Sequence, residues 1–256
     1  MLRGNIHIMQ EKHTHNHMYP TKESESLLMA MQHEGCPICQ VMIEVMEQSM
    51  DTWQYEGFTD VTARYDMIRS RGFCPLHTWQ LAQHNTSFQL GLVYQDILSD
   101  VLESSDLTTA THPKPRISWL TRLKHFFQPP AVSQLVSRGQ LYAHCPFCRT
   151  RANAEQRIIE TFLMLLSDEQ TQRQLSQSTG LCRLHFLRTL ELAQVKGLAQ
   201  HDILIQCQRT CMQRLRQELQ EQIRKSDYHA SNEPHGEEMT AWRRAAKWSA
   251  GNNGVY

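Results

Sequence analysis

Cys36-Pro37-Ile38-Cys39, followed by Gly72-Phe73-Cys74-Pro75-Leu76-His77, is the stretch that decides how this chain reads. The same order returns as Cys145-Pro146-Phe147-Cys148 followed by Gly180-Leu181-Cys182-Arg183-Leu184-His185. Each copy has the form C-x2-C, a gap, then G-x-C-x2-H, with 34 residues between Cys39 and Cys74 and 33 between Cys148 and Cys182. Three thiolates and one imidazole at such spacings close a tetrahedral zinc site. The expected ligand sets are Cys36, Cys39, Cys74 and His77 in the first copy, and Cys145, Cys148, Cys182 and His185 in the second. That makes two zinc ions per chain.

The gaps have a helical reading. Ile38, Met42, Val45, Met46, Met50 and Trp53 fall at three- and four-residue steps, one face of an amphipathic helix. Pro37 suits its first turn, where a missing N–H costs nothing. Val61, Tyr65 and Ile68 mark a second helix that ends at Gly72. From Pro75 a longer helix runs toward Leu102, with Asn85 and Gly91 as places where it bends or divides. The second copy repeats the order. Ile158, Ile159, Phe162, Leu163 and Leu166 line a helix starting near Cys145. Ser167 and Gln170 have capping-box spacing ahead of a short helix ended by Gly180. A long pattern then continues from Leu184 through Leu215 to about Arg224.

Strand-like alternation is missing, so the expected fold is all-α. Two homologous helical units each comprise a helical hairpin plus a long helix, tied by a Cys3His metal site. A helix of about 15 residues travels ~22 Å and its antiparallel neighbour returns the same distance. The metal would then join the N-termini of the first and third helices of one unit. The expected organisation is a His-rich segment over 1–24, a first repeat over 25–105, a Pro-bracketed linker over 106–140, a second repeat over 141–225 and a C-terminal tail with a short helix over 226–256.

Zinc has rivals. Iron–sulfur clusters more often take four cysteines, so they are the less favoured cofactor. C-P-x-C is also the form of thioredoxin-like redox sites, with a nucleophilic thiolate at a helix N-terminus. The alternative function is therefore a thiol-disulfide redox protein or zinc-thiolate sensor using Cys36, Cys39, Cys145 and Cys148. It lacks the βαβ context and leaves the G-x-C-x2-H halves unexplained. Buried core cysteines are a third reading, but chance does not readily repeat four ligands, the prolines and a glycine in one order. A closed four-ligand site leaves no position for substrate, which points to a structural metal.

The remaining features bound the function. Across 256 residues Lys+Arg and Asp+Glu both number 26, which disfavours a dedicated nucleic-acid binder. No run is apolar enough to span a bilayer and no secretory h-region opens the chain, so a cytoplasmic setting with reduced thiols is expected. Cys207 and Cys211, four apart on a helical pattern, read as small core residues. His13, His15 and His17 read as a solvated tail. Residues 119–127 place Arg122, Lys124 and His125 among Trp119, Leu120, Leu123, Phe126 and Phe127. They read as a helix docked on the protein's own body, with contact to a membrane surface as the less favoured alternative. No P-loop, G-x-S-x-G, G-x-G-x-x-G or H-E-x-x-H occurs.

The series CPIC, GFCPLH, CPFC and GLCRLH resembles a bacterial family catalogued as domain of unknown function 6062. Leu90-Gly91-Leu92-Val93 is similar to a stretch there, as are Asp227-Tyr228, Glu233-Pro234 and Ala241-Trp242. The resemblance covers about residues 25–251. It supports the repeat and the all-α reading and supplies no activity. The expectation is a non-enzymatic zinc-binding helical module that works through an interaction surface for a protein partner.

Overall fold

The computed structural model describes residues 21–57, 59–84, 87–103, 145–228 and 233–255. Residues 119–127 and the N-terminal histidines lie outside them. The described residues contain no strand. The first half holds α1 (Lys22–Ala30), α2 (Pro37–Thr52) continued by a π-helical turn (Trp53–Gly57), α3 (Val61–Ser70), α4 (Pro75–Gln83) and α5 (Ser87–Glu103). The second half holds α6 (Pro146–Leu165), α7 (Glu169–Gln177), α8 (Arg183–Val195) and α9 (Gln200–Lys225). A 3-10 turn (Glu237–Thr240) then leads into α10 (Ala241–Ala250).

Local chemistry explains most boundaries. Cys36, Cys74, Cys145 and Cys182 are the N-cap residues of α2, α4, α6 and α8, and proline follows the first three at N1. α3 ends where Arg71 turns left-handed (φ 56) and the Gly72 N–H returns to the Met67 carbonyl at 2.9 Å. The sequence places the stop one residue later, at Gly72. Two further expectations are corrected. Asp168, not Ser167, caps α7, accepting from the Thr171 N–H at 2.9 Å. The long pattern after Leu184 divides into α8 and α9, because Gly197 is left-handed (φ 62) and the Leu198 N–H closes onto the Ala193 carbonyl at 2.9 Å. Gly91 lies inside α5 without breaking it, while the division falls beside Asn85, the other position named, between the end of α4 at Gln83 and the start of α5 at Ser87.

Two hydrophobic cores form, and each draws on both repeats. The first joins Ile38, Val41 and Met42 from the N-terminal half of α2 to Ile158, Phe162 and Leu163 from the C-terminal half of α6, with Leu175, Leu181 and Leu204. The second joins Met46, Met50 and Trp53 from the other end of α2 to Phe147 at the start of α6, with Phe73, Leu81 and Val93. The two helices therefore run antiparallel, and α2 packs against α6 more extensively than any other pair of elements touches. Ile38, Ile158 and Phe162 are fully buried. Truncating any of them to alanine would cost about 2–5 kcal/mol. The C-terminal strap seals this arrangement. Val255 enters the first core, while Arg151 and Gln80 donate to the Val255 and Gly254 carbonyls at 3.2 and 2.7 Å.

Candidate metal centres

All eight predicted ligands come together in two clusters, but crosswise. Cys36 and Cys39 meet Cys182 and His185, while Cys74 and His77 meet Cys145 and Cys148. The expectation that each repeat closes its own site is wrong. The antiparallel α2–α6 packing is the reason. It carries the C-P-x-C turn of α2 into the core that holds Leu181 and Cys182, and that of α6 into the core that holds Phe73 and Cys74. Each turn then lies beside the other repeat's G-x-C-x2-H.

In the Cys36 site, His185 Nδ1 stands 3.5, 3.2 and 3.3 Å from the Sγ atoms of Cys36, Cys39 and Cys182. Cys39 Sγ and Cys182 Sγ are 3.7 Å apart. In the Cys74 site, His77 Nδ1 stands 3.0, 3.5 and 3.5 Å from the sulfurs of Cys74, Cys145 and Cys148, and Cys74 and Cys148 are 3.5 Å apart. A tetrahedron with zinc–sulfur bonds of ~2.3 Å and a zinc–nitrogen bond of ~2.0 Å has S–S edges of about 3.8 Å and S–N edges of about 3.5 Å. The Cys36 set lies close to these edges, whereas the Cys74 set is tighter, with His77 Nδ1 only 3.0 Å from Cys74 Sγ. Each also gathers two helix N-termini, whose positive ends suit a cluster left net negative by three thiolates around a divalent ion.

Three supporting side chains escaped the sequence reading. Glu155 on α6 is buried, and its Oε1 lies 3.2 Å from His185 Nε2 and also pairs with Arg188. A carboxylate there accepts a hydrogen bond from Nε2–H, which fixes the tautomer that leaves the Nδ1 lone pair facing the sulfurs. The repeat offset of 109 residues puts Met46, a core side chain, at the equivalent position on α2. Gln208 on α9 clamps the residue before Cys182, accepting from the Leu181 N–H and donating to the Leu181 carbonyl, both at 2.9 Å. Thr179 joins the two loops of the Cys36 site. Its hydroxyl donates to the Gly35 carbonyl at 2.6 Å and accepts the Gly35 N–H at 3.0 Å. Gly180 must be glycine for two reasons: its φ is +76, and a Cβ would stand 2.9 Å from Gln208 Oε1 and 3.0 Å from Cys211 Cβ. None of the three has a spacing signature, because each acts through a contact more than two helical turns away in sequence.

One signal for the crossing was in the chain. Phe73 and Phe147, the aromatic members of GFC and CPFC, stack with centroids 5.2 Å apart, and Trp53 meets Phe73 edge-on at 5.2 Å. Their counterparts Ile38 and Leu181 are aliphatic and share the other core. Matching side-chain types pairs the motifs crosswise.

The metal-free electrostatics differ between the sites. Hydrogen bonds from Cys36 and Cys39, and then His185, hold the Cys182 thiol far below its usual range, whereas burial pushes Cys36 well up. Burial opposes charge on His185, but its hydrogen bonds to Cys182, Cys39 and Glu155 prevail and raise it to about 11. Without metal, both shifts favour the charged forms of Cys182 and His185. In the Cys74 site, burial and then Arg151 pull His77 down to about 4. Burial and then the Cys74 side chain push Cys148 up to about 12.

Cys207 and Cys211 join neither cluster. Both are buried, with Cys207 Sγ 3.7 Å from the Gln172 carbonyl and Cys211 Sγ 3.2 Å from that of Leu175. No helix among the described residues is long and apolar enough to cross a membrane.

Fold and clusters together define an all-α protein with two buried groups of three cysteines and a histidine. The chain belongs to a family of unknown function, DUF6062, whose profile matches residues 26–254. No curated protein and no solved structure matches it.

Proposed function

We propose that the protein is a zinc-stabilised, non-enzymatic interaction module holding two structural zinc ions per chain, one in each crossed cluster. The carrying observation is the donor set: in each cluster three cysteine sulfurs and one histidine nitrogen lie within 4.8 Å of one another, close enough for one ion to bind all four. Four protein donors complete the shell and leave no open position for catalysis. The repeats, over 25–105 and 141–225, act on this reading as one interlocked body. A reducing compartment such as the cytoplasm keeps the thiols available to metal.

Elemental analysis of the purified chain is expected to give two zinc ions, and absorption at the zinc edge to fit three sulfurs at ~2.3 Å and one nitrogen at ~2.0 Å. Thiols that label rapidly at Cys36 or Cys145 in metal-loaded protein, together with turnover of a disulfide substrate, would replace this reading by the redox one.

A further inference from the structure

α8, α9 and α10 enclose a groove of about 680 Å³ whose lining contains no carboxylate. Its floor is a stripe on α9. Ile205, Met212 and Leu219 recur every seven residues, with Leu215 between the last two, and Phe186 of α8 and Trp248 of α10 form the walls. Met212 is 42 % exposed. A seven-residue repeat of apolar side chains is the seam that a second helix fills with its own knobs. From Ile205 to Leu219 the seam is ~21 Å long, about four helical turns. Arg209 and Arg216 line the same groove, each four residues after a seam position, where a docked helix would place its flanking charges. Neither is paired with a carboxylate among the described residues.

We propose that this groove is a docking site for an amphipathic helix of another protein, apolar on one face and flanked by glutamate or aspartate. The heptad stripe specifies a helix rather than a strand, since a strand repeats every second residue. The arginine pair specifies acidic flanks, because like charges across an interface are strongly disfavoured. Two copies of this chain related by a two-fold axis across α9 would set the arginines against one another, which argues for a different partner.

The probe is a synthetic helical peptide of about 18 residues with leucine at heptad positions a and d and glutamate at the flanking positions, against a twin carrying lysine there. Binding to the full-length, metal-loaded chain is read by fluorescence anisotropy of the labelled peptide. The glutamate peptide is expected to bind and the lysine peptide not. Met212→Glu should weaken binding at least about tenfold, with metal content and helicity unchanged because Met212 is surface-exposed. The double variant Arg209→Glu/Arg216→Glu should reverse the preference between the peptides. The proposal is overturned if the glutamate peptide fails to bind, if Met212→Glu binds as tightly, or if the double variant keeps the original preference. It is equally overturned by a concentration-dependent dimer that Met212→Glu dissolves, which would make a second copy the occupant.

Discussion

Glu155 is the residue that makes the two clusters unequal. It is the carboxylate behind His185, and the matching position on α2 carries Met46. Partners of this kind typically account for ten- to a hundredfold in metal affinity. Glu155→Ala is expected to lower zinc affinity of the Cys36 site by about that factor in a chelator competition, leaving the Cys74 site unchanged. Equal loss at both sites would mean that the substitution acts through the fold. Cys148 makes the opposite contribution. It is the one ligand of the eight that is not fully buried, since Cys36, Cys39, Cys182 and His185 are all covered. A chelator challenge should therefore release zinc in two phases, with Cys74, Cys145 and Cys148 becoming reactive first. Alkylation mapped over time by mass spectrometry checks the order, and simultaneous appearance of all six thiols would contradict it.

At the scale of elements, the antiparallel pair α2–α6 decides which knuckle meets which. Ile38 and Met42 at one end of α2, and Met46 and Trp53 at the other, belong to different cores. Cys182→Ser is thus expected to release one zinc and to unmask Cys36 and Cys39, 143 or more residues away in sequence, while Cys145 and Cys148 stay protected. Pairing within each repeat would give the reverse, with Cys145 and Cys148 unmasked. The two outcomes are read from the same alkylation map. Helix starts and stops were legible in the chain because caps and turns are local: Pro37, Pro75, Pro146 and Gly72 each act within a turn of their own position. The break at Gly197 was not, since one glycine in a helical pattern is compatible with continuation until the Leu198 N–H is seen to close on Ala193.

For the whole molecule, the sites nest: the Cys36 site spans the chain from residue 36 to 185 and the Cys74 site lies inside it, from 74 to 148. Both bridge the two halves. A protease site inserted between residues 104 and 144 and cleaved is expected to leave the fragments joined through two metals and the α2–α6 contact. Size-exclusion chromatography should show one species with metal. After chelation the complex should weaken sharply, because each zinc contributes on the order of 10 kcal/mol to folded small domains. Fragments that part while still metal-loaded would contradict crossed coordination.

The chain by itself determined the donor types, their number, the helical class and the helix N-termini at which the donors sit. Each of these rests on interactions within a few residues: C-x2-C, C-x2-H, a proline at N1, apolar side chains at helical spacing. Partner choice between the four half-sites is different in kind. Either assignment yields two sets of three cysteines and one histidine, and each half-site keeps its own C-x2-C or C-x2-H spacing, so the ligand motifs alone do not choose between them. Tertiary packing removed the degeneracy, because burying Ile38 against Ile158 and Phe162, and Phe147 against Phe73 and Trp53, carries each C-P-x-C turn to the opposite G-x-C-x2-H. Glu155, Gln208 and Thr179 belong to the same tertiary layer. Their roles exist only once α6, α8, α9 and the Gly35 loop have been brought together.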